Sequence, residues 1–248
     1  MLNKVPEITI LFWITKVLTT GMGEVFSDYL VSHMNPILAV AFAGIVLVAS
    51  LVMQFLVPKY VAWIYWLVVV MVSIFGTMAA DIVHVVVGIP YLISTMFFLI
   101  ALAILFFSWY KKENTLSIHS IQTRHREAFY WSIVMVTFAL GTSAGDMTAS
   151  TMHLGYFSSG ILFAILLAIP AVGYWLFHLN RTFVFWFAYI MTRPVGASFS
   201  DWISASHSRN GLGLGEGPVS LVLTIIIVIL VGYLTFTRRD SKEEPAAA

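Results

Sequence analysis

Residues 12–28 read FWITKVLTTGMGEVFSD, and the frame inside this stretch decides the fold. An aromatic and a Trp are followed by Gly23 and then by Asp28. The frame returns as Tyr65-Trp66 with Gly76 and Asp81, as Tyr130-Trp131 with Gly141 and Asp146, and as Phe185-Trp186 with Gly196 and Asp201. All four copies obey [FY]-W-x9-G-x4-D without a gap, and they hold every Asp of the chain except Asp240. An internal repeat of this kind sets the architecture before any single element is considered.

Composition sets the solvent. The 248 residues are 60% hydrophobic and 10% charged, with a mean hydropathy of +0.91. A soluble domain carries roughly 25% charged residues, so the chain reads as an all-α polytopic membrane protein. It has no Cys, which excludes disulfides, thiolate metal sites and Cys nucleophiles. The start, MLNKVPEITILFW, runs directly into the first repeat and lacks the small-residue cleavage site of a signal peptide.

A spanning helix needs ~20 mostly apolar residues, and eight segments fit: 8–32, 36–57, 60–87, 90–110, 127–150, 157–178, 182–205 and 217–236. The expected fold is eight transmembrane helices built from four parallel two-helix repeats. The spacings between repeat Asp residues are 53, 65 and 55. They suggest a first four-helix half (1–110), a basic loop (111–126), a second half (127–237) and a disordered tail (238–248). Ten of the Lys and Arg residues, from Lys4 to Lys242, fall on one side of this arrangement and Arg209 on the other. By the positive-inside rule both termini are cytoplasmic. The repeated Trp residues then lie toward the cytoplasmic ends, where they read as interfacial anchors. The run RNGLGLGEGP at 209–218 reads as a flexible loop.

The odd-numbered helices carry the chemistry. Lys16, Thr20, Glu24 and Asp28 follow at steps of four and share one helix face. Ser73, Thr77 and Asp81 do the same, as do Thr142 and Asp146; in the seventh helix Arg193 and Asp201 lie on one face. Each seam ends in the repeat Asp. Ionisable side chains inside a membrane face the bundle interior or a water-filled cavity. The repeat Gly either lets helices approach closely or marks a kink beside the Asp. Lys16 and Arg193 balance two of the five intrahelical carboxylates, and the remainder hold protons or a cation. His33, His84, His153 and His207 follow the four Asp residues at irregular offsets, and only Asp81 and His84 share a face. Asp28, Asp81, Asp146, Asp201 and His84 form the candidate metal set.

No nucleophile elbow, HExxH or phosphate loop is present, and no cofactor is implied beyond a divalent metal ion as substrate. The stretches KVPEITILFWITKVLTTGMGE (4–24), REAFYWSIVMVTFALGTSAGD (126–146) and AYIMTRPVGASFSDW (188–202) resemble an uncharacterised family of bacterial integral membrane repeat proteins described as "membrane-anchored". The resemblance implies a multi-pass protein of the bacterial inner (plasma) membrane and a shared repeat core. It implies no activity.

The leading expectation is a cation transporter or exporter, for a divalent metal such as manganese, with proton coupling as an option. Asp28, Asp81, Asp146, Asp201 and Glu24 form the cation or proton path, Lys16 and Arg193 set the charge balance, and Thr20, Ser73, Thr77 and Thr142 support the seam. The alternatives are a small organic or anionic solute held by Arg193 and Lys16, and a redox protein or enzyme using the outer His/Asp cluster. The expected partners are the bilayer and a small ion or solute, not nucleic acid; a homo-oligomer is compatible.

Overall fold

The computed structural model describes residues 3–241. It contains eight long α-helices: α1 (Ile10–His33), α2 (Pro36–Leu56), α3 (Ala62–Asp81), α4 (Tyr91–Glu113), α5 (Arg124–Asp146), α6 (Gly155–Phe177), α7 (Arg181–Ser204) and α8 (Glu216–Thr237). No strand occurs among the described residues. Local chemistry explains the starts. The Thr9 and Thr123 hydroxyls accept from backbone amides of α1 and α5, and the Asn35 and Asn180 side chains cap α2 and α7. Pro36 occupies the first turn of α2, where its missing N–H is harmless. In the second and third repeats a π-helical turn follows the Asp, at Ile82–Val86 and Met147–Thr151. These two copies resemble each other locally, GTMAAD and GTSAGD, as the first and fourth do in GEVFSD and GASFSD.

The odd-numbered helices form an inner ring, α1–α3–α5–α7 and back to α1, all running in one direction. The contacts α3–α5 and α7–α1, which join the two expected halves, belong to this same ring. The even-numbered helices form an outer layer. Each packs chiefly against the inner helix of the next repeat: α2 on α3, α4 on α5, α6 on α7, and α8 back on α1. The most apolar stretches of α2, α4, α6 and α8 are only 22% buried, against 61% and 67% for α3 and α5. Exposed side chains of the outer layer, such as Phe42, Ile45, Phe97, Ile104, Ile165 and Ile229, form an apolar coat. Such a coat suits lipid, not water, and fits a multi-pass membrane protein.

Six helices are long and apolar enough to cross a membrane: α2, α3, α4, α5, α6 and α8. The expectation of eight is therefore met only in part by length and composition. α1 and α7 fall short because Lys16, Glu24, Asp28, Arg193 and Asp201 lower their hydropathy.

The repeat frame explains how the ring closes. An added Cβ at Gly23 would collide with Ser73, at Gly76 with Phe138, at Gly141 with Arg193 and at Gly196 with Thr20. Each of these partners sits three residues before the Gly of its own copy. One contact is thus repeated four times around the ring, and the helices pass through these glycines without a break. Of the two readings of the Gly, close packing is the one the structure adopts.

The reading of the repeated Trp as an interfacial anchor is corrected for three of the four copies. Trp66, Trp131 and Trp186 are buried, as is Trp109 of α4, whereas Trp13 is half-buried and Trp63 and Trp175 are exposed. Four parallel helices bring their aromatic pairs together near the chain termini. There Phe12, Tyr65, Tyr130 and Phe185 are all buried, and the Tyr65 and Tyr130 hydroxyls share a hydrogen bond. Edge-on pairs such as Tyr65–Trp66, Tyr130–Trp131 and Phe185–Trp186 (ring centroids 5.3, 5.0 and 5.2 Å apart) knit the plug. Outside it, Lys4 Nζ lies 2.6 Å from Glu127, whose other oxygen accepts from Gln54 at 3.0 Å.

Two loop expectations change as well. The glycine-rich run is docked rather than free: the amides of Leu212, Gly213, Leu214 and Gly215 donate to the carbonyls of Trp202, Ala205, Ile203 and Ser204. It caps the carbonyls that the end of α7 leaves open. The expected disordered tail begins as packed chain. Asp240 is buried, accepts from the Tyr60 hydroxyl, and its carbonyl accepts from the Glu7 amide. The remainder of that tail, 242–248, lies outside the described residues.

Replacing Gly141 or Gly196 by alanine should lower stability by about 1–3 kcal/mol through overpacking. Gly232→Ala, at a position with nothing within 4 Å, should not lower it. Thermal unfolding of the purified protein in detergent checks both.

Candidate functional site

Four side chains per layer, one from each repeat, line the axis of the ring at steps of four residues, or ~6 Å of rise. Beginning at the aromatic plug, the next layer holds Lys16, Val69, Val134 and Tyr189, all buried. Above it come Thr20, Ser73, Phe138 and Arg193, the positions that meet the glycines. Then come Glu24, Thr77, Thr142 and Ala197. The last layer is Asp28, Asp81, Asp146 and Asp201. The scaffold is quasi-four-fold, but its contents are not.

The centre is one ion pair. Arg193 Nη2 lies 2.6 Å from Glu24 Oε2, with the two side chains 1% and 5% exposed. The same Nη2 donates to the Thr142 hydroxyl at 2.7 Å and to that of Thr77. Nη1 donates to the Thr20 carbonyl at 2.9 Å, and Nε to the Phe138 carbonyl at 3.3 Å. The Thr77 and Thr142 hydroxyls donate in turn to Glu24 Oε2 at 3.0 and 3.2 Å. A guanidinium has five N–H donors and no acceptor. This one is met from α1, α3 and α5 together.

Lys16 lies one layer below and is fully buried. Its ammonium has no hydrogen-bond partner among the described residues. It sits over the rings of Phe138 and Tyr189, 3.9 and 4.3 Å from their centroids. The aromatic faces are its counter-charge, so the expectation that it neutralises a carboxylate is corrected. Arg193 likewise pairs with Glu24 and with none of the four Asp residues.

Above the ion pair the helices part around a cavity of about 450 Å³. Asp28, Asp81, Asp146, Asp201 and Glu24 all line it. None of the four Asp carboxylates accepts a hydrogen bond from a described residue, and all the bonds to Glu24 go to Oε2. The cavity lies at the end of the bundle opposite the chain termini, where the inner helices finish. Residues that sequence reasoning passed over complete it: Ser32, Tyr91, Tyr156, Ser204, Arg209 and Glu216. Arg209 and Glu216 flank the docked glycine-rich run, which brings both charges to the rim. Ser32 donates to Glu216 at 3.2 Å. Ser32 is the next i+4 step after Asp28, one turn beyond the end of the seam; the i+4 pattern could not reveal the others, because they lie at helix ends and in loops.

The remaining seam residues support rather than line the cavity. The Thr20 hydroxyl bonds the Val17 carbonyl at 2.6 Å, and the Ser73 hydroxyl reaches the Thr20 carbonyl at 3.5 Å. The metal set is not assembled. Among the described residues no group of three or more His, Asp and Glu side chains could hold a metal ion. His84 is absent from the cavity lining; its Nδ1 bonds the Ile89 carbonyl at 2.6 Å and its ring stacks on Tyr91. His33 and His207 are tied in the same way to the carbonyls of Tyr29 and Gly211.

A family profile described as Repeat of Unknown Function (DUF347) matches residues 11–60, 64–115, 129–179 and 184–240. The chain belongs to the DUF347 repeat family. Each matched DUF347 segment is one inner helix with the outer helix that follows it, so the family unit and the four-fold frame coincide. No curated protein and no solved structure matches the chain.

Two outcomes test this account of the DUF347 centre. Glu24→Gln and Arg193→Met should each destabilise by about 3–5 kcal/mol, with the double variant well short of their sum, because removing one partner strands the other's buried charge. Lys16→Met should leave the melting temperature unchanged or raise it, since an apolar chain of similar length replaces a buried cation without hydrogen bonds. A fall of more than ~4 °C, roughly 1 kcal/mol for a chain of this size, would mean that the ammonium has a partner.

Proposed function

We propose that this protein carries a small cation across the bacterial inner membrane, with Asp28, Asp81, Asp146, Asp201 and Glu24 as its binding groups. One observation carries the reading: a carboxylate from every repeat lines a single cavity with Glu24 beneath, and those four Asp carboxylates accept no hydrogen bond from the described residues. Carboxylates in a low-dielectric setting need a cation or a proton. The field of the backbone adds to this. All four inner helices end at the cavity, and the C-terminal end of a helix carries roughly half a negative charge.

The cavity also has a floor and a seal, as a carrier requires. The Arg193–Glu24–Thr77–Thr142 group closes it on the axis. Lys16 and the aromatic plug lie below, and the Lys4–Glu127 pair lies outside the plug. The conformation is, in this reading, open to one side of the membrane only. In this reading all eight helices span the membrane, because α1 and α7 run parallel to α3 and α5 in one ring. The Lys and Arg distribution puts both termini on the cytoplasmic side, so the cavity faces outward.

An anionic solute is less favoured. Arg193 is engaged by Glu24 and by the Thr20 and Phe138 carbonyls, Lys16 lies behind it, and neither basic residue lines the cavity. A redox role for the histidines is disfavoured by their ties to loop carbonyls. A divalent metal such as manganese fits as a hydrated ion rather than one stripped of water, given that no three ligands converge among the described residues.

The test is flux into proteoliposomes, with manganese, potassium and an organic ammonium as candidate substrates and with a pH gradient imposed or absent. Asp28→Asn, Asp81→Asn, Asp146→Asn and Asp201→Asn should each reduce the flux at least tenfold (~1.4 kcal/mol of binding or barrier) while folding normally. If all four variants transport as the wild type does, the reading fails.

A further inference from the structure

We propose that the cation is an organic ammonium with an apolar body, held by its head on the carboxylates and by its body on the apolar and aromatic part of the cavity lining. This rests on the cation-carrier reading above and narrows it.

The cavity has two kinds of lining. Beside the carboxylates it carries apolar and aromatic surface from Val40, Met78, Val85, Val86, Tyr91 and Tyr156. A hydrated metal ion gains nothing from such a surface, since apolar walls offer no acceptor to its water shell. A dehydrated metal needs several oxygens within ~2.0–2.6 Å of one point, and no such grouping exists among the described residues. An ammonium has different needs. Its three N–H donors reach separate acceptors at hydrogen-bond distance, so carboxylates from different helices can share it without converging further. Its carbon chain gains from each methylene that leaves water.

Size agrees with this choice. A cavity of about 450 Å³ is that of a small-molecule site, which runs from ~300 to 1,000 Å³ and combines apolar lining with a few polar groups. Tyr91 is fixed by its stack on His84, with centroids 3.2 Å apart, and offers an aromatic surface at the acidic edge.

Glu24 points to a ligand independently of the Asp cluster. Its side chain is 5% exposed and forms part of the cavity floor. Oε2 takes the bonds from Arg193, Thr77 and Thr142, while Oε1 accepts none from a described residue. An ammonium arriving from above completes Oε1 without displacing Arg193 from Oε2. The two basic groups then share one carboxylate from opposite sides.

The experiment is calorimetric binding to the full chain in detergent, using phenethylammonium, its neutral match 2-phenylethanol, methylammonium and Mn²⁺ as probes. Phenethylammonium should bind at least tenfold more tightly than either 2-phenylethanol or methylammonium. Asp28→Asn should weaken it at least tenfold. Val40→Thr, which keeps the shape and adds a hydroxyl, should weaken phenethylammonium while leaving methylammonium unchanged. If Mn²⁺ binds and phenethylammonium does not, the organic substrate class is overturned and the cation reading stands. Equal binding of phenethylammonium and 2-phenylethanol, or an unaltered Asp28→Asn variant, removes the carboxylates from the site and overturns the proposal. If a folded protein, judged by its unfolding transition, binds none of the cations, both readings fall.

Discussion

One carboxylate oxygen organises the axis of this protein. Glu24 Oε2 receives Arg193, Thr77 and Thr142, and so ties α1, α3, α5 and α7 at a single point. In a low-dielectric interior an ion pair is retained only when its remaining donors and acceptors are met. That requirement dictates the neighbourhood. The second and third repeats must offer small hydroxyls at the level of Glu24. The Thr20 and Phe138 carbonyls must be turned toward the guanidinium. Gly141 must lack a side chain, because the stem of Arg193 passes against it.

The repeats supply a scaffold, and the departures from the repeat supply the chemistry. The glycine contact recurs at all four joints, each time against the residue three positions before the next Gly of the ring, so the inner helices approach closely at every joint. On that frame only the Asp layer keeps one residue in every copy. The layers beneath hold one Glu, one Arg and one Lys, each at a position where the other three repeats have something neutral. A ring of four equal carboxylates above an uneven floor attracts positive charge from every direction. It can also orient what arrives.

Much of the fold was legible because it depends on periodicities of one chain. The frame [FY]-W-x9-G-x4-D located the inner helices to within a few residues, and the i+4 steps from Lys16 to Asp28 identified the face turned to the axis. The role of Trp66, Trp131 and Trp186 was misread because an interfacial belt and a buried plug place Trp at the same height. Only the meeting of four helices separates the two. Pairing was also beyond the sequence. Which carboxylate Arg193 would choose depends on helix rotation within the ring, and Lys16 has no polar partner to look for. Arg209, Glu216 and Tyr156 were missed because they reach the cavity through loops and helix ends, where spacing carries no directional information. The glycine-rich run seemed unconstrained for the same reason, although its amides cap α7.

The outer layer is displaced by one repeat relative to the inner ring, and this bears on how the ring closes. Because α2 covers α3, and α8 returns to cover α1, no repeat encloses its own polar seam. α1 carries Lys16, Glu24 and Asp28, its ion-pair partner Arg193 stands on α7, and its cover is α8. The ring therefore closes on its first repeat only when its fourth is in place.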